Sequence, residues 1–293
     1  MAGPAEVSPT AEAPVVAAEA PPTASGRAGR NLPIAILVGL ALGALALGTL
    51  FTVKAAFLGV IVAAILIGLW ELVRALQHKE MHAPFVPLAV GTCCLLILAY
   101  TDGREAMTVA ALLTGLAVVV WRLAEGARGL LADIAAGLMA LAYVPFLAGF
   151  AALMLAPHDG ARRTTAFIAT VVASDVGGYA FGVIAGRHLM APQISPKKSW
   201  EGFAGSVVAC AVCGALLLTL LLHVAWWKGV VFGLAVVCSA TLGDLGESMV
   251  KRDLGIKDMG NLLPGHGGLM DRLDSLLPTA PVAWALLALF VKA

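Results

Sequence analysis

Residues 229–252 read GVVFGLAVVCSATLGDLGESMVKR, an apolar run that turns into a charged helical face before it ends. A helix needs roughly 20 predominantly apolar residues to cross the hydrocarbon core of a bilayer, and this stretch approaches that length. Lipid offers no hydrogen-bond partners to the backbone, so a spanning stretch must be helical. These residues predict an all-α membrane protein with reactive groups at one end of a span.

The composition of the whole chain supports a location in the membrane. Of its 293 residues, 60% are hydrophobic and 13% are charged, and its mean hydropathy is +0.92. A soluble domain is about half apolar and about a quarter charged, because its surface must be polar. The net charge of +1 gives no general attraction to nucleic acid, so no nucleic-acid partner is expected.

About nine apolar segments follow Arg30, and we expect a polytopic bundle of transmembrane helices. The preceding residues 1–31 are rich in Ala and Pro and cannot bury enough surface to offset the entropy of ordering them. We therefore expect a disordered cytoplasmic tail over 1–31 and a membrane-embedded domain over 32–293. The segments are 33–53, 55–76, 84–100, 106–121, 130–156, 164–186, 203–223, 229–250 and 276–291.

The distribution of Lys and Arg predicts the orientation of the chain. With the N-terminus inside, thirteen of them fall in inside segments and six in outside segments, which is the direction that the positive-inside rule requires. The two longest polar connections, 187–202 and 251–275, then face the cytoplasm. Chemistry in these connections would have access to cytosolic nucleotides.

A row of polar groups occupies one face of the helix predicted over 229–250. An acid within the bilayer costs roughly 2.5–3.5 kcal/mol on insertion scales, so Asp244 should face a wet or protein-lined cavity. The alternative is an ordinary solvated helix end. The row has the spacing i, i+3, i+4 and i+7 of a single helical face and consists of Asp244, Glu247, Ser248 and Lys251.

A glycine-rich loop with two further acids follows this helix. Its glycines let backbone N–H groups approach an anion closely. Asp271 and Asp274 are three residues apart and point the same way on a helix. Two such carboxylates repel each other unless a cation lies between them, and Mg²⁺ prefers oxygen ligands and substrate phosphates. The loop therefore predicts metal-assisted phosphoryl or nucleotidyl transfer.

The run from Ser248 to Asp274, S-x2-K-R-x4-K-D-x-G-x2-L-P-x-H-G-G-L-x-D-R-L-D, resembles the signature of the phosphatidate cytidylyltransferase (CDP-diacylglycerol synthase) family. Residues 193–202, QISPKKSWEG, resemble the family's cytoplasmic loop, where Thr is commoner than Ser199. Residues 175–179, DVGGY, resemble a family Asp-x-x-x-Tyr stretch, although Val176 and Gly178 are unusual in it. The likeness covers the C-terminal half well, whereas the N-terminal half matches only as hydrophobic spans.

The resemblance implies an enzyme of phospholipid synthesis in a bacterial-type plasma membrane, with its active site facing the cytoplasm. It would transfer the cytidylyl group of CTP to phosphatidic acid and release pyrophosphate. It also implies a two-metal arrangement at Asp244, Asp271 and Asp274, with Mg²⁺ as one metal and a second cation of unknown identity. Pairing into a homodimer is left open.

Roles for the remaining residues follow as hypotheses. Lys251 would balance charge on the α-phosphate or the leaving group, with Ser248 as a nearby donor, while Asp271 and Asp274 complete the catalytic set. Asp175, near the middle of segment 164–186, would line a polar cavity because an acid at that depth is a functional candidate. The remaining substrate-binding candidates are Lys197, Lys198, His266, Gly267, Gly268 and Arg272.

Several alternatives stay open at this stage. Lys197 and Lys198 could serve topology alone, and His266 could simply pack in its loop. Cys210-x-x-Cys213 has redox or zinc spacing but lies in an apolar run, which favours packing. Glu71 and Glu125 are expected to be solvated span ends.

Two other functions are compatible with parts of this sequence. A CTP-dependent lipid kinase would release CDP and not pyrophosphate. A transporter of anionic solutes would be expected to show internal repeats, and none is visible.

Overall fold

The computed structural model describes residue 3 and residues 32–192, 194–260, 262 and 267–291, with the backbone alone at 32–40, 196 and 197. Gly3 apart, the expected disordered tail lies outside the described residues. The described chain is a bundle of helices with one small hairpin, so the all-α prediction is confirmed. The helices are α1 (Leu32–Thr52), α2 (Lys54–Leu76), α3 (Phe85–Thr101), α4 (Gly103–Glu125), α5 (Leu130–Leu141), α6 (Leu147–Leu155), α7 (Gly160–Ala185), α8 (Trp200–Leu222), α9 (Trp226–Asp253), α10 (Met270–Leu273) and α11 (Leu276–Phe290).

Seven helical stretches of the described chain are long and apolar enough to cross a membrane. Two shorter apolar helices, Ala41–Thr52 and Phe85–Thr101, lie where the first and third predicted segments were expected. The fourth predicted segment, 106–121, is longer in the structure because α4 runs from Gly103 to Glu125. The protein is therefore an integral membrane protein built from apolar helices.

Two local features interrupt the pattern of spans. A π-helical turn, Ala142–Phe146, joins α5 to α6 and contains Pro145, which has no N–H to donate. The polar connection before α8 forms an antiparallel hairpin of β1 (Leu189–Ala191) and β2 (Ser195–Ser199). Ser199 ends β2 and caps α8, since its hydroxyl accepts a hydrogen bond from the Gly202 N–H at 3.1 Å.

Helices α7, α8 and α9 pack through their backbones. A Cβ built on Gly233 of α9 would lie 2.1 Å from the Cys210 carbonyl oxygen of α8, and one on Gly177 of α7 would lie 2.8 Å from the Gly205 carbonyl oxygen. Small residues permit this close approach between membrane helices. These contacts hold α7 against α8 and α8 against α9.

The cysteines of the Cys-x-x-Cys stretch belong to this packing. Cys210 is buried and its Sγ donates to the Thr170 carbonyl oxygen of α7 at 3.4 Å, while the Cys213 Sγ donates to the Ala169 carbonyl oxygen at 3.7 Å. Both thiols therefore serve as small packing groups between α7 and α8.

The close contact at Gly233 gives a test of the packing. We expect Gly233→Ala to lower the free energy of unfolding by about 1–3 kcal/mol, because a backbone carbonyl cannot move aside. Thermal unfolding in detergent measures the change. Gly246→Ala on the same helix is the control, since a Cβ there meets nothing within 4 Å. Equal melting temperatures for the two variants would contradict the prediction.

Candidate active site

The polar face of α9 forms as its spacing predicts. The Ser248 Oγ donates to the Asp244 Oδ1 at 3.4 Å, and the Lys251 Nζ lies 3.2 Å from the Glu247 Oε1. The Glu247 side chain is 0% exposed and that of Lys251 is 13% exposed. A solvated helix end is therefore the wrong description of this face, because its central ion pair is buried.

Asp271 is the most heavily bonded carboxylate of the site. Its Oδ1 lies 2.8 Å from the Lys251 Nζ. Its Oδ2 accepts from the Met259 N–H at 3.1 Å and from the Gly268 N–H at 3.0 Å. Lys251 thus joins α9 to α10, and the loop between them is fastened to the same carboxylate. The Gly268 N–H, expected to meet an anionic ligand, here orients an anionic side chain.

Asp274 lies at the junction of α10 and α11. Its Oδ1 accepts from the Ser275 N–H at 2.6 Å and from the Ser275 Oγ at 3.0 Å. A Cβ built on Gly243 would lie 2.6 Å from the Asp274 carbonyl oxygen, so α9 touches this junction directly. The contact brings the Asp274 side chain close enough to Asp244 for their charges to interact.

A cavity of about 230 Å³ opens beside these carboxylates, between α7, α8, α9 and the hairpin. Asp175 of α7, Lys198 of β2 and Asp244 of α9 line it. The Lys198 Nζ lies 2.5 Å from the Asp244 Oδ2. The end of α9 also meets the hairpin connection, where the Arg252 Nε donates to the Ile194 carbonyl oxygen at 3.5 Å. The cavity therefore has an acid on each side and a lysine at its edge.

Three of the other predicted substrate-binding residues, Gly267, Gly268 and Arg272, lie in the loop before α10 and in α10 itself. Gly267 adopts a left-handed φ of 82° beside Gly268. Arg272 is exposed on α10 and lies close enough to Asp175 to interact with its charge. His266 and the side chain of Lys197 lie outside the described residues.

Two polar residues of the site were missed from the sequence. Glu71 of α2 was expected to be solvated, and this is wrong: it is 1% exposed, and its Oε2 accepts from the Met270 N–H at 2.8 Å. Glu125, by contrast, has a side chain that is 49% exposed. Tyr143 of the π-helical turn has a buried hydroxyl. This hydroxyl is close enough to Glu247, Asp274 and Asp244 to interact with their charges. The intramembrane-acid argument applied to Asp175 would have selected Glu71 as well.

Within the described part of the chain, no three His, Cys, Asp or Glu side chains are arranged to hold a metal ion. Two of the acids form salt bridges with lysines: Asp244 with Lys198, and Asp271 with Lys251. The chemistry of the donors nevertheless fits Mg²⁺, which takes carboxylate oxygens together with substrate phosphates. The Glu247 Oε2 is buried and has no hydrogen-bond partner among the described residues, which is consistent with a polar site that a cation completes.

The sequence matches a known protein family along nearly its whole length. The model of the cytidylyltransferase family matches residues 33–290. This chain belongs to the cytidylyltransferase family. It is similar to the phosphatidate cytidylyltransferase of Mycobacterium leprae, with 44% identity over 90% of this chain and 89% of the relative. The corresponding proteins of Mycobacterium bovis and Brucella suis are 41% and 32% identical, over 93% and 89% of this chain and 94% and 95% of those relatives.

The resemblance inferred from the Ser248–Asp274 signature is therefore confirmed, and with it the enzyme class of a nucleotidyltransferase. The family match also extends beyond the C-terminal half to which the signature was limited, since it begins at residue 33 in α1. The N-terminal helices, including α2 with its buried Glu71, thus lie within the region that the family model matches.

The buried position of Lys251 gives the second prediction. Lys251→Met leaves Glu247 and Asp271 without their counter-charge, and breaking a buried pair in this way costs about 3–5 kcal/mol. The unfolding transition in detergent should therefore fall markedly. Lys79→Met is the control, because Lys79 is paired at 3.8 Å with Asp253 at the surface, where such pairs contribute about 0–1 kcal/mol.

Adding Glu247→Gln to Lys251→Met should restore part of the lost stability, since one uncompensated buried charge is removed. A double variant that is no more stable than Lys251→Met would argue against a charge-compensating role for this lysine.

Proposed function

We propose that this protein transfers the cytidylyl group of CTP to phosphatidic acid and releases pyrophosphate, forming CDP-diacylglycerol. Family membership and the names of relatives that match along nearly the whole chain support the reaction. The observation that carries it is the buried Lys251 between Glu247 and Asp271. This ion-paired cluster at the end of a membrane helix suits two anionic substrates, one of them a lipid.

The chemistry requires positioning and charge neutralisation more than a strong base. A phosphate oxygen of phosphatidic acid, ionised at neutral pH, attacks the α-phosphorus of CTP. A new P–O bond forms, the bond from the α-phosphorus to the bridging oxygen breaks, and pyrophosphate takes the electron pair. Since two anions must approach each other, fixed cations at the point of attack lower the barrier.

The lysines supply this positive charge in our proposal. Lys251 lies at the centre of the carboxylate cluster and would balance charge on the α-phosphate or on the departing pyrophosphate, with Ser248 as a neighbouring donor. Lys198, at the edge of the cavity, would receive the lipid phosphate or the triphosphate, together with Lys197. Asp175 would keep the cavity wet, and Arg272, Gly267, Gly268 and His266 would contact phosphate oxygens from the loop side.

Asp244, Asp271 and Asp274 would hold Mg²⁺, with a second cation of unassigned identity. When bound, Mg²⁺ would neutralise phosphate charge and polarise the α-phosphoryl group. The ammonium groups of Lys198 and Lys251 now neutralise two of these carboxylates, Asp244 and Asp271. They would then be released toward the substrate phosphates, which carry more negative charge.

We further propose nine membrane crossings with the N-terminus inside, in a bacterial-type plasma membrane. The seven long apolar helical stretches and the two shorter ones found among the described residues support this topology, as does the excess of Lys and Arg in alternate connections. The hairpin and the 254–269 connection then face the cytoplasm, where CTP is available. A homodimer stays a prediction.

The reaction is tested by replacing Asp271. Asp271→Asn should reduce CDP-diacylglycerol formation by at least about 10²-fold, the usual cost of losing a charge-stabilising group in the transition state. Purified protein is supplied with Mg²⁺, phosphatidic acid and CTP labelled at the α-phosphorus, and both products are identified. Asp253→Asn, at an exposed residue of the same end of α9, should retain wild-type turnover.

Each possible product excludes one alternative. Labelled lipid with unlabelled pyrophosphate supports cytidylyl transfer. Labelled CDP with phosphorylated lipid would indicate the kinase. Wild-type turnover in Asp271→Asn would remove Asp271 from the catalytic set.

The orientation is tested by labelling single cysteines in a variant without the five native ones. Lys257→Cys lies in the exposed connection after α9 and His158→Cys in the exposed connection before α7. A membrane-impermeant maleimide added to intact spheroplasts should modify Cys at 158 and spare Cys at 257 until the membrane is opened. The reverse pattern would place the active site outside.

A further inference from the structure

Glu71 occupies an unusual position for a carboxylate in a membrane helix. It lies in α2, far along the chain from the site, and is 1% exposed. Its Oε2 accepts a hydrogen bond of 2.8 Å from the Met270 N–H, the first residue of α10. The next residue is Asp271, so this bond fastens the backbone directly before the catalytic carboxylate.

Two glycines of the connection between α9 and α10 pack directly against the Glu71 carboxylate. A Cβ built on Gly260 would lie 2.2 Å from the Glu71 Oε1. One built on Gly268 would lie 2.8 Å from the Glu71 Oε2 and equally 2.8 Å from the Asp271 Oδ2. The backbone at Gly268 therefore lies between the two carboxylates, and both glycines must lack a side chain for the connection to seat.

Asp271 and Glu71 both accept hydrogen bonds from the backbone of this connection and of the start of α10. Asp271 accepts from the Met259 and Gly268 N–H groups, and Glu71 accepts from the Met270 N–H. Removing Glu71 would leave a buried N–H without its partner, which costs about 1–3 kcal/mol. It would also free the start of α10 to shift relative to Lys251.

We propose that Glu71 is a positioning residue for the transfer reaction. By holding the Met270 N–H and seating Gly260 and Gly268, it fixes Asp271 at hydrogen-bond distance from Lys251. This inference rests on the proposed function, because it takes Asp271 as part of the catalytic set. A misplacement of about 1 Å at a reacting group can cost about 10²-fold in rate. Loss of Glu71 is therefore expected to lower kcat.

Glu71 variants test this role through the separation of kcat from KM. Glu71→Ala should lower kcat by about 10- to 100-fold, while the KM for phosphatidic acid stays within about threefold because Glu71 does not line the cavity between α7, α8, α9 and the hairpin. Glu71→Gln keeps an oxygen acceptor for the Met270 N–H and should recover kcat to within about threefold of wild type. Glu80→Gln, at an exposed residue shortly after α2, is the matched control.

Gly260→Ala disturbs the same contact from the opposite side. It should lower kcat about tenfold in the wild-type background, because its Cβ would overlap the Glu71 carboxylate. In the Glu71→Ala background it should cost little more, since the overlapping atoms are gone. Gly59→Ala on α2, where a Cβ meets nothing within 4 Å, should behave as wild type. Gly260→Ala and Gly59→Ala, compared in the wild-type background, keep the test valid if Glu71→Ala fails to insert.

Hydrogen exchange in the absence of substrate gives a readout that does not depend on turnover. The Met270 amide should exchange faster in Glu71→Ala than in wild type or Glu71→Gln.

Three results would overturn the inference. The first is wild-type kcat in Glu71→Ala, and the second is an equal loss of kcat in Glu71→Gln and Glu71→Ala. The third is a loss of melting temperature in Glu71→Ala with kcat per folded molecule unchanged. None of these resembles failure of the proposed function, in which wild-type protein itself would form no CDP-diacylglycerol from CTP and phosphatidic acid.

Discussion

A buried ammonium group between two carboxylates organises this molecule. An isolated charge in a medium of low polarity is so costly that it must be paired or neutralised, and Glu247 is fully buried within a membrane helix. Lys251 satisfies Glu247 from the same helix and Asp271 from the next one. Two of the acids at this end of the bundle, Glu247 and Asp271, are therefore compensated where α9 and α10 meet at one lysine.

The same requirement explains why distant parts of the chain converge here. Asp244 is compensated by Lys198 from the hairpin, and the start of α10 is held by Glu71 from α2. Buried carboxylates must be paired with cations or N–H donors, which here come from several different elements. Each of these contacts fixes the position of the element that supplies it. The same contacts consequently build the site and pack this end of the bundle.

Much of the helical bundle could be predicted because lipid imposes a simple rule on every spanning residue. The segment predicted over 229–250 became α9, and the spacing of Asp244, Glu247, Ser248 and Lys251 placed them on one face without any knowledge of tertiary contacts. The hairpin at 189–199 was missed, since a short polar connection carries no strong periodicity. The π-helical turn at Pro145 was missed because the residues around it are apolar, so that hydropathy predicts one uninterrupted span.

Glu71 shows where prediction from the sequence alone stops. Its depth in the helix could be counted, but its partner is a backbone N–H of residue 270, and backbone groups are the same at every position of a sequence. Asp271 presents the same difficulty, since two of its three hydrogen-bond partners are the backbone N–H groups of Met259 and Gly268. A charged pair can be recognised in a sequence because both partners are charged residues at a typical spacing. A side chain that binds a backbone N–H has no such recognisable partner.

The glycine contacts between α7, α8 and α9 have a consequence for the cavity that these helices enclose. Where main chain rests on main chain, as at Gly233 and Gly177, no layer of adjustable rotamers separates neighbouring helices. The distance across the opening from Asp175 to Asp244 is then set by whole helices and cannot be altered by reorienting one side chain. A larger ligand could enter only if a whole helix moved, so the helix packing limits the size of what this cavity can hold.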